Sequence, residues 1–155
     1  MEPTLRGSKD GQKPDCCVVD KIIYRFTKPK RGDIVVFSSA GISAFTNETY
    51  YVKRLVGLPG ERIEINDNAV YLDGRRLAEE DGIPSFDYFP AHPQYPSATL
   101  KEGGAFVVGT DEYFVLGDNS ANSFDSRYWG GVPATNVIGK VSKIYYPFSR
   151  MGRVK

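Results

Sequence analysis

Short apolar or alternating runs recur along the whole chain, and almost all have the two-residue period of a strand. They are CCVVDKIIYRF (16–26), DIVVFSS (33–39), YYVKRLVG (50–57), RIEINDNAVYLDG (62–74), GAFVVG (104–109), EYFVLGD (112–118) and VIGKVSKIYYPF (137–148). Gly, Pro, Asn and Asp separate them at hairpin or loop spacing. No stretch of ten or more residues shows a 3.6-residue apolar stripe, so the chain reads as all-β. IEINDNAVYLDG is a hairpin turning at Asn66-Asp67-Asn68, where Asn and Asp tolerate positive φ.

Residues 78–103 break the pattern. Four prolines, four aromatics and no alternation predict a long irregular excursion packed by its own rings. The organisation expected is a core of residues 1–61 and 112–155 with a smaller inserted subdomain at 62–111.

A chain of 155 residues can bury a real core as one domain with an insert. A formal charge of +1 supplies no field to recruit nucleic acid or an acidic surface. Cys16 and Cys17 are adjacent, a spacing that disfavours their pairing, and with no other Cys there is no disulfide framework or four-ligand metal site. His92 is the sole histidine and sits in a Pro/Tyr-rich loop, a poor basis for a His-centred triad. No apolar run approaches the roughly 18 to 20 residues that span a bilayer, and no signal peptide is present.

Two segments carry candidate chemistry. YYVKRLVGLPGE places Lys53 in an apolar strand closing on a Gly-Leu-Pro-Gly turn. A lysine is a general base only if desolvation lowers its pKa from about 10.4. Strand geometry sends the neighbouring Arg54 to the opposite face. The alternative is a lysine guarding a strand edge. GDNSANSFDSRYWGG (117–131) offers Ser123 to orient such an amine, with Asp118, Asp125 and Arg127 spaced for an ion-pair cluster bracing its loop. The plainer reading is a polar turn with surface salt bridges.

MEPTL at the start, RGDIVVF (31–37), YVKRLVGLPG and GDNSANSFDSRYWG, followed by VPATNVIGK, stand in that order over nearly the whole chain. They resemble the ordered boxes of type I signal peptidases, peptidase family S26. The resemblance implies a mostly β, antiparallel-sheet catalytic core and a Ser-Lys dyad serine endopeptidase that removes signal peptides after small residues of Ala-X-Ala type. It implies Lys53 as general base, Ser123 as the group orienting its amine, Asp125 paired with Arg127, and Asp118 supporting the same loop. Met1, Leu5, Val36, Tyr51 and Val52 match positions lining shallow substrate pockets. The implied partners are preprotein signal peptides and, for a full-length form, the membrane; no cofactor, metal or nucleic acid is implied. The implied location is the cell or thylakoid membrane, with the catalytic domain on the extracytoplasmic side.

The family's nucleophilic serine stands directly before the Met of its first box, and here that Met is Met1. The expectation is that nucleophile and membrane anchor lie upstream of the first residue, and that this chain alone is inactive. Thr4 and Ser8 are the nearest hydroxyls, and both sit past the required position. The alternatives are a soluble, nucleophile-free relative that binds signal-peptide ends, or a LexA-like self-cleaving regulator. LRGSKDGQKPDCCVVDK lengthens the loop where the family has a compact turn.

Overall fold

A computed structural model of the chain describes residues 1–8 and 11–154. Among the described residues, eleven strands and one short helix follow one another: β1 (Cys16–Asp20), β2 (Ile34–Ser38), β3 (Tyr50–Gly57), β4 (Arg62–Asn66), β5 (Ala69–Leu72), β6 (Arg75–Arg76), β7 (Ala105–Val107), β8 (Glu112–Leu116), α1 (Ser126–Trp129), β9 (Val132–Pro133), β10 (Val137–Tyr146) and β11 (Gly152–Arg153). They form two antiparallel sheets. The larger runs β1-β10-β2-β3-β8-β9 with β11 beside β10, and the smaller runs β6-β5-β4-β7.

β1 is shorter than its apolar run. Asp20 Oδ1 accepts from the backbone N–H groups of Ile22 and Ile23 at 2.9 and 3.0 Å, an Asx turn that ends the strand and leads into a 3-10 turn at Ile23–Arg25. The β4–β5 hairpin turns at Asp67 and Asn68, with φ of 48° and 56°, between the paired residues Asn66 and Ala69. Both central residues take positive φ, the requirement of a twist-matched two-residue turn.

β8 shows why its apolar run is unbroken. Tyr113 and Val115 enter one core with Val35, Phe37, Leu55 and Val132, while Phe114 and Leu116 enter another with Val56, Ile63, Ile65, Val70 and Leu100. Alternate side chains bury on opposite faces, so both sets must be apolar. The second core joins the two sheets. Roughly 1.5–3 kcal/mol per fully buried Val, Leu, Ile or Phe favours that union before chain entropy is charged against it.

Residues 78–103 contain no strand, only a 3-10 turn at Glu79–Asp81. They are not packed by their own rings. Tyr88 and Leu100 are buried in the shared core, and Tyr95 meets Tyr128 of α1 edge-on at 5.1 Å. Leu100 also donates its backbone N–H to the Arg127 carbonyl at 2.8 Å.

Candidate active site

Lys53 and Arg54 are consecutive in β3 and therefore serve opposite faces. Lys53 pairs with Val35 of β2 and its Nζ donates to Ser123 Oγ at 2.8 Å. Arg54 pairs with Leu116 of β8, so the next position, Gly117, falls opposite Lys53. A Cβ on Gly117 would stand 2.1 Å from Ser123 Oγ and 3.3 Å from Lys53 Nζ; a glycine here makes room for their contact. Burial pushes the Lys53 ammonium below its ordinary pKa. Asp125 opposes that shift, Arg127 adds to it, and Asp118 opposes it. The Met1 amine is also lowered, first by burial and then by the charge of Lys53, so the two nitrogens share one environment.

Ser123 is held from below by Arg127. Its guanidinium grips Asp125 through Nε–Oδ1 at 2.7 Å and Nη2–Oδ2 at 2.8 Å. It also donates to the carbonyls of Phe89, Ser120 and Ser123, at 2.7, 2.8 and 3.1 Å, and to Ser120 Oγ at 2.7 Å. Asp125 caps α1 through the Arg127 N–H and accepts from the Gly117 N–H at 3.0 Å. Ser126 Oγ accepts from the Val115 N–H at 3.0 Å, tying the same turn to β8. A buried arginine with this many acceptors is a rigid fork that a lysine could not replace.

Asp118 departs from the single cluster expected with Asp125 and Arg127. It pairs with Arg54 instead, Nε–Oδ1 and Nη2–Oδ2 both at 2.8 Å, and both side chains are fully buried. The reason is strand alternation: Leu116 and Asp118 share the Arg54 face, whereas Gly117 shares the Lys53 face. Two separate ion pairs therefore flank the amine. Thr4 joins the first, donating its hydroxyl to Asp118 Oδ2. Arg54, Thr4, Ser120, Ser126 and Gly117 escaped the sequence reading as members of the site. The one available signal was the alternation that turned Arg54 away from Lys53; Thr4 and Ser120 gave none.

A sequence model described as "Signal peptidase, peptidase S26" matches residues 1–146. The chain belongs to this family. It is 37% identical to a probable signal peptidase I-2 of Synechocystis sp. over 98% of the chain and 62% of that protein. It is 35% identical to signal peptidase I of Leptolyngbya laminosa, over 99% of the chain and 68% of the relative, and 33% identical to signal peptidase I T of Bacillus subtilis, over 100% and 74%. The chain thus spans less than two thirds of the length of the Synechocystis relative. A crystal structure of a signal peptidase I from Enterococcus faecalis V583 superposes with a TM-score of 0.53 at 32% identity, covering 75% of this chain and 98% of that one. The mostly antiparallel two-sheet fold matches that of signal peptidase I.

Met1, Leu5, Val36, Tyr51 and Val52, expected together as pocket lining for this family, are all half-buried but do not share one wall. Val36 pairs with Val52 on the Arg54 face, while Tyr51 pairs with Phe37 on the Lys53 face. The Tyr51 ring packs 4.7 Å from that of Phe45, beside Phe37 and Trp129. Period-2 geometry forces the split. His92 lies exposed in its loop, and Cys16 and Cys17 are both free, opposite Tyr146 and Ile144 in the β1–β10 ladder. Among the described residues no group of three or more His, Cys, Asp or Glu could hold a metal, and no helix is long and apolar enough to cross a membrane.

Proposed function

We propose that this chain is the catalytic region of a signal peptidase I, a Ser-Lys serine endopeptidase that removes signal peptides from exported preproteins after small residues. The observation that carries the reading is the desolvated Lys53 amine held 2.8 Å from Ser123 Oγ. Desolvation favours the neutral amine, the form that can accept a proton. Ser123 fixes its direction. The nucleophile is a serine attached to the Met1 nitrogen, and that nitrogen sits close enough to Lys53 to feel its charge.

In this scheme Lys53 Nζ takes the serine hydroxyl proton as the oxygen attacks the scissile carbonyl. The same proton then passes to the departing amine, leaving an acyl-enzyme that Lys53-activated water hydrolyses. The described ladder between β3 and β8 begins only at Arg54, so Tyr50–Lys53 present backbone to an extended peptide along that edge. In the membrane-anchored enzyme this region faces the extracytoplasmic side.

The test is to place a single serine ahead of Met1 and assay a peptide bearing an Ala-X-Ala site. Cleavage by the extended chain, abolished by Lys53→Met and absent from the 155-residue chain, is the expected result. Equal cleavage by the unextended chain overturns the assignment of the nucleophile. An extended chain that is folded but inert, with Lys53 titrating at its ordinary value, overturns the assignment of the base.

A further inference from the structure

The last turn of the chain reaches back to the first five residues. Arg150, in the 3-10 turn Phe148–Arg150, donates Nη2 to the Thr4 carbonyl at 3.1 Å and to the Pro3 carbonyl at 3.3 Å. The same guanidinium grips Asp15 through Nε at 2.9 Å and Nη2 at 3.0 Å. Asp15 is itself fixed by the Arg6 N–H at 2.8 Å and returns its own N–H to the Arg6 carbonyl at 2.9 Å. Its side chain is only 1% exposed. Among the described hydrogen bonds, no other donor reaches the Pro3 or Thr4 carbonyl.

These bonds secure one side of a turn closed by the Leu5 N–H donating to the Met1 carbonyl at 2.9 Å. The other side hangs on the Thr4 hydroxyl, which donates to Asp118 in the buried pair with Arg54. We propose that Arg150 is a positioning residue whose clamp with Asp15 holds the Met1–Leu5 turn in register against Lys53, and so sets where the nucleophile stands. This rests on the Ser-Lys reading above. Arginine suits the task because its planar fork can meet a carboxylate and two carbonyls together. A lysine could keep the charge and the carboxylate but would reach fewer of the carbonyls. Small errors matter here, since a misplacement of about 1 Å can cost about 10²-fold in rate.

The experiment compares the 155-residue chain with Arg150→Ala and Arg150→Lys, using NMR titration of the Met1 amine and of Lys53 together with amide exchange. In Arg150→Ala the Leu5 amide is expected to exchange at least about tenfold faster, in proportion to loss of the turn. The Met1 amine moves back toward its ordinary range, while Lys53 stays depressed and the Leu55 amide keeps its protection. Arg150→Lys gives intermediate values and serves where the alanine variant folds poorly. Unchanged Leu5 exchange and Met1 titration in both variants overturn the proposal. So does uniform loosening of Leu5 and Leu55, which marks a merely structural bond. An ordinary Lys53 pKa in the parent chain would instead sink the Ser-Lys reading, whatever Arg150 does.

Discussion

Replacing Gly117 with alanine tests the site at its tightest point. The backbone there lies outside the glycine-only region, so the substitution adds one methyl group and little else. That methyl would stand 2.1 Å from Ser123 Oγ and 2.7 Å from Ser123 Cβ. Non-bonded carbon contacts settle near 3.5–4.0 Å, so Ser123 must retreat by roughly 1 Å or more. It has no easy retreat, because Arg127 holds its carbonyl at 3.1 Å and Lys53 its hydroxyl at 2.8 Å. Overpacking of this kind costs about 1–3 kcal/mol. For a domain of this size each kcal/mol lowers the melting temperature by roughly 2–4 °C, giving a fall of about 2–12 °C. Gly7 is the internal control, since a Cβ there meets nothing within 4 Å, and Gly7→Ala should be neutral or slightly stabilising. Calorimetry supplies the melting temperature, and the Lys53 side-chain resonances report whether the hydroxyl has left the amine. In the serine-extended chain the same displacement should slow cleavage by about 10²-fold. A Gly117→Ala protein that melts with the parent and leaves the Lys53 resonances unmoved would refute the reasoning.

Lys53→Met should raise stability at neutral pH. The folded-state pKa of Lys53 lies below its unfolded value, so the unfolded chain binds the extra proton between the two and parental stability climbs with pH across that window. The variant's advantage, about 1.4 kcal/mol per unit of depression, should therefore shrink toward alkaline pH in denaturant titrations; an advantage independent of pH would count against a desolvated amine. Arg127→Lys keeps the charge but loses the fork to Asp125, Ser120, Ser123 and Phe89, and should cost about 3–5 kcal/mol in urea unfolding. A loss under 1 kcal/mol would mean that the buried cluster tolerates rearrangement. At the β4–β5 turn, Asn68→Val forces a β-branched residue to φ 56° and should lower stability by about 1–2 kcal/mol, whereas Asn68→Gly should be close to neutral; similar melting of the two would contradict the turn geometry.

Much of this molecule is local and therefore readable from the chain. Period-2 runs mark the strands because a pleated backbone alternates its side chains whatever the context, and the same rule turned Arg54 away from Lys53. Asp67 and Asn68 announce their hairpin because few residues accept positive φ. The order of the boxes along the chain carries the family. Other features depend on segments far apart in the chain. Asp118 chose Arg54, 64 positions away, over Arg127, nine positions on, because strand pairing decides which face each carboxylate meets. Tyr51 left the expected pocket wall for the aromatic core by the same geometry. Residues 78–103 lack any repeating pattern, yet Tyr88 and Leu100 bury in a core assembled by both sheets. Spacing along a strand is a property of the backbone, and it survives in the sequence. Partnership across strands depends on register and on which surfaces are removed from water together, and only the folded chain decides those.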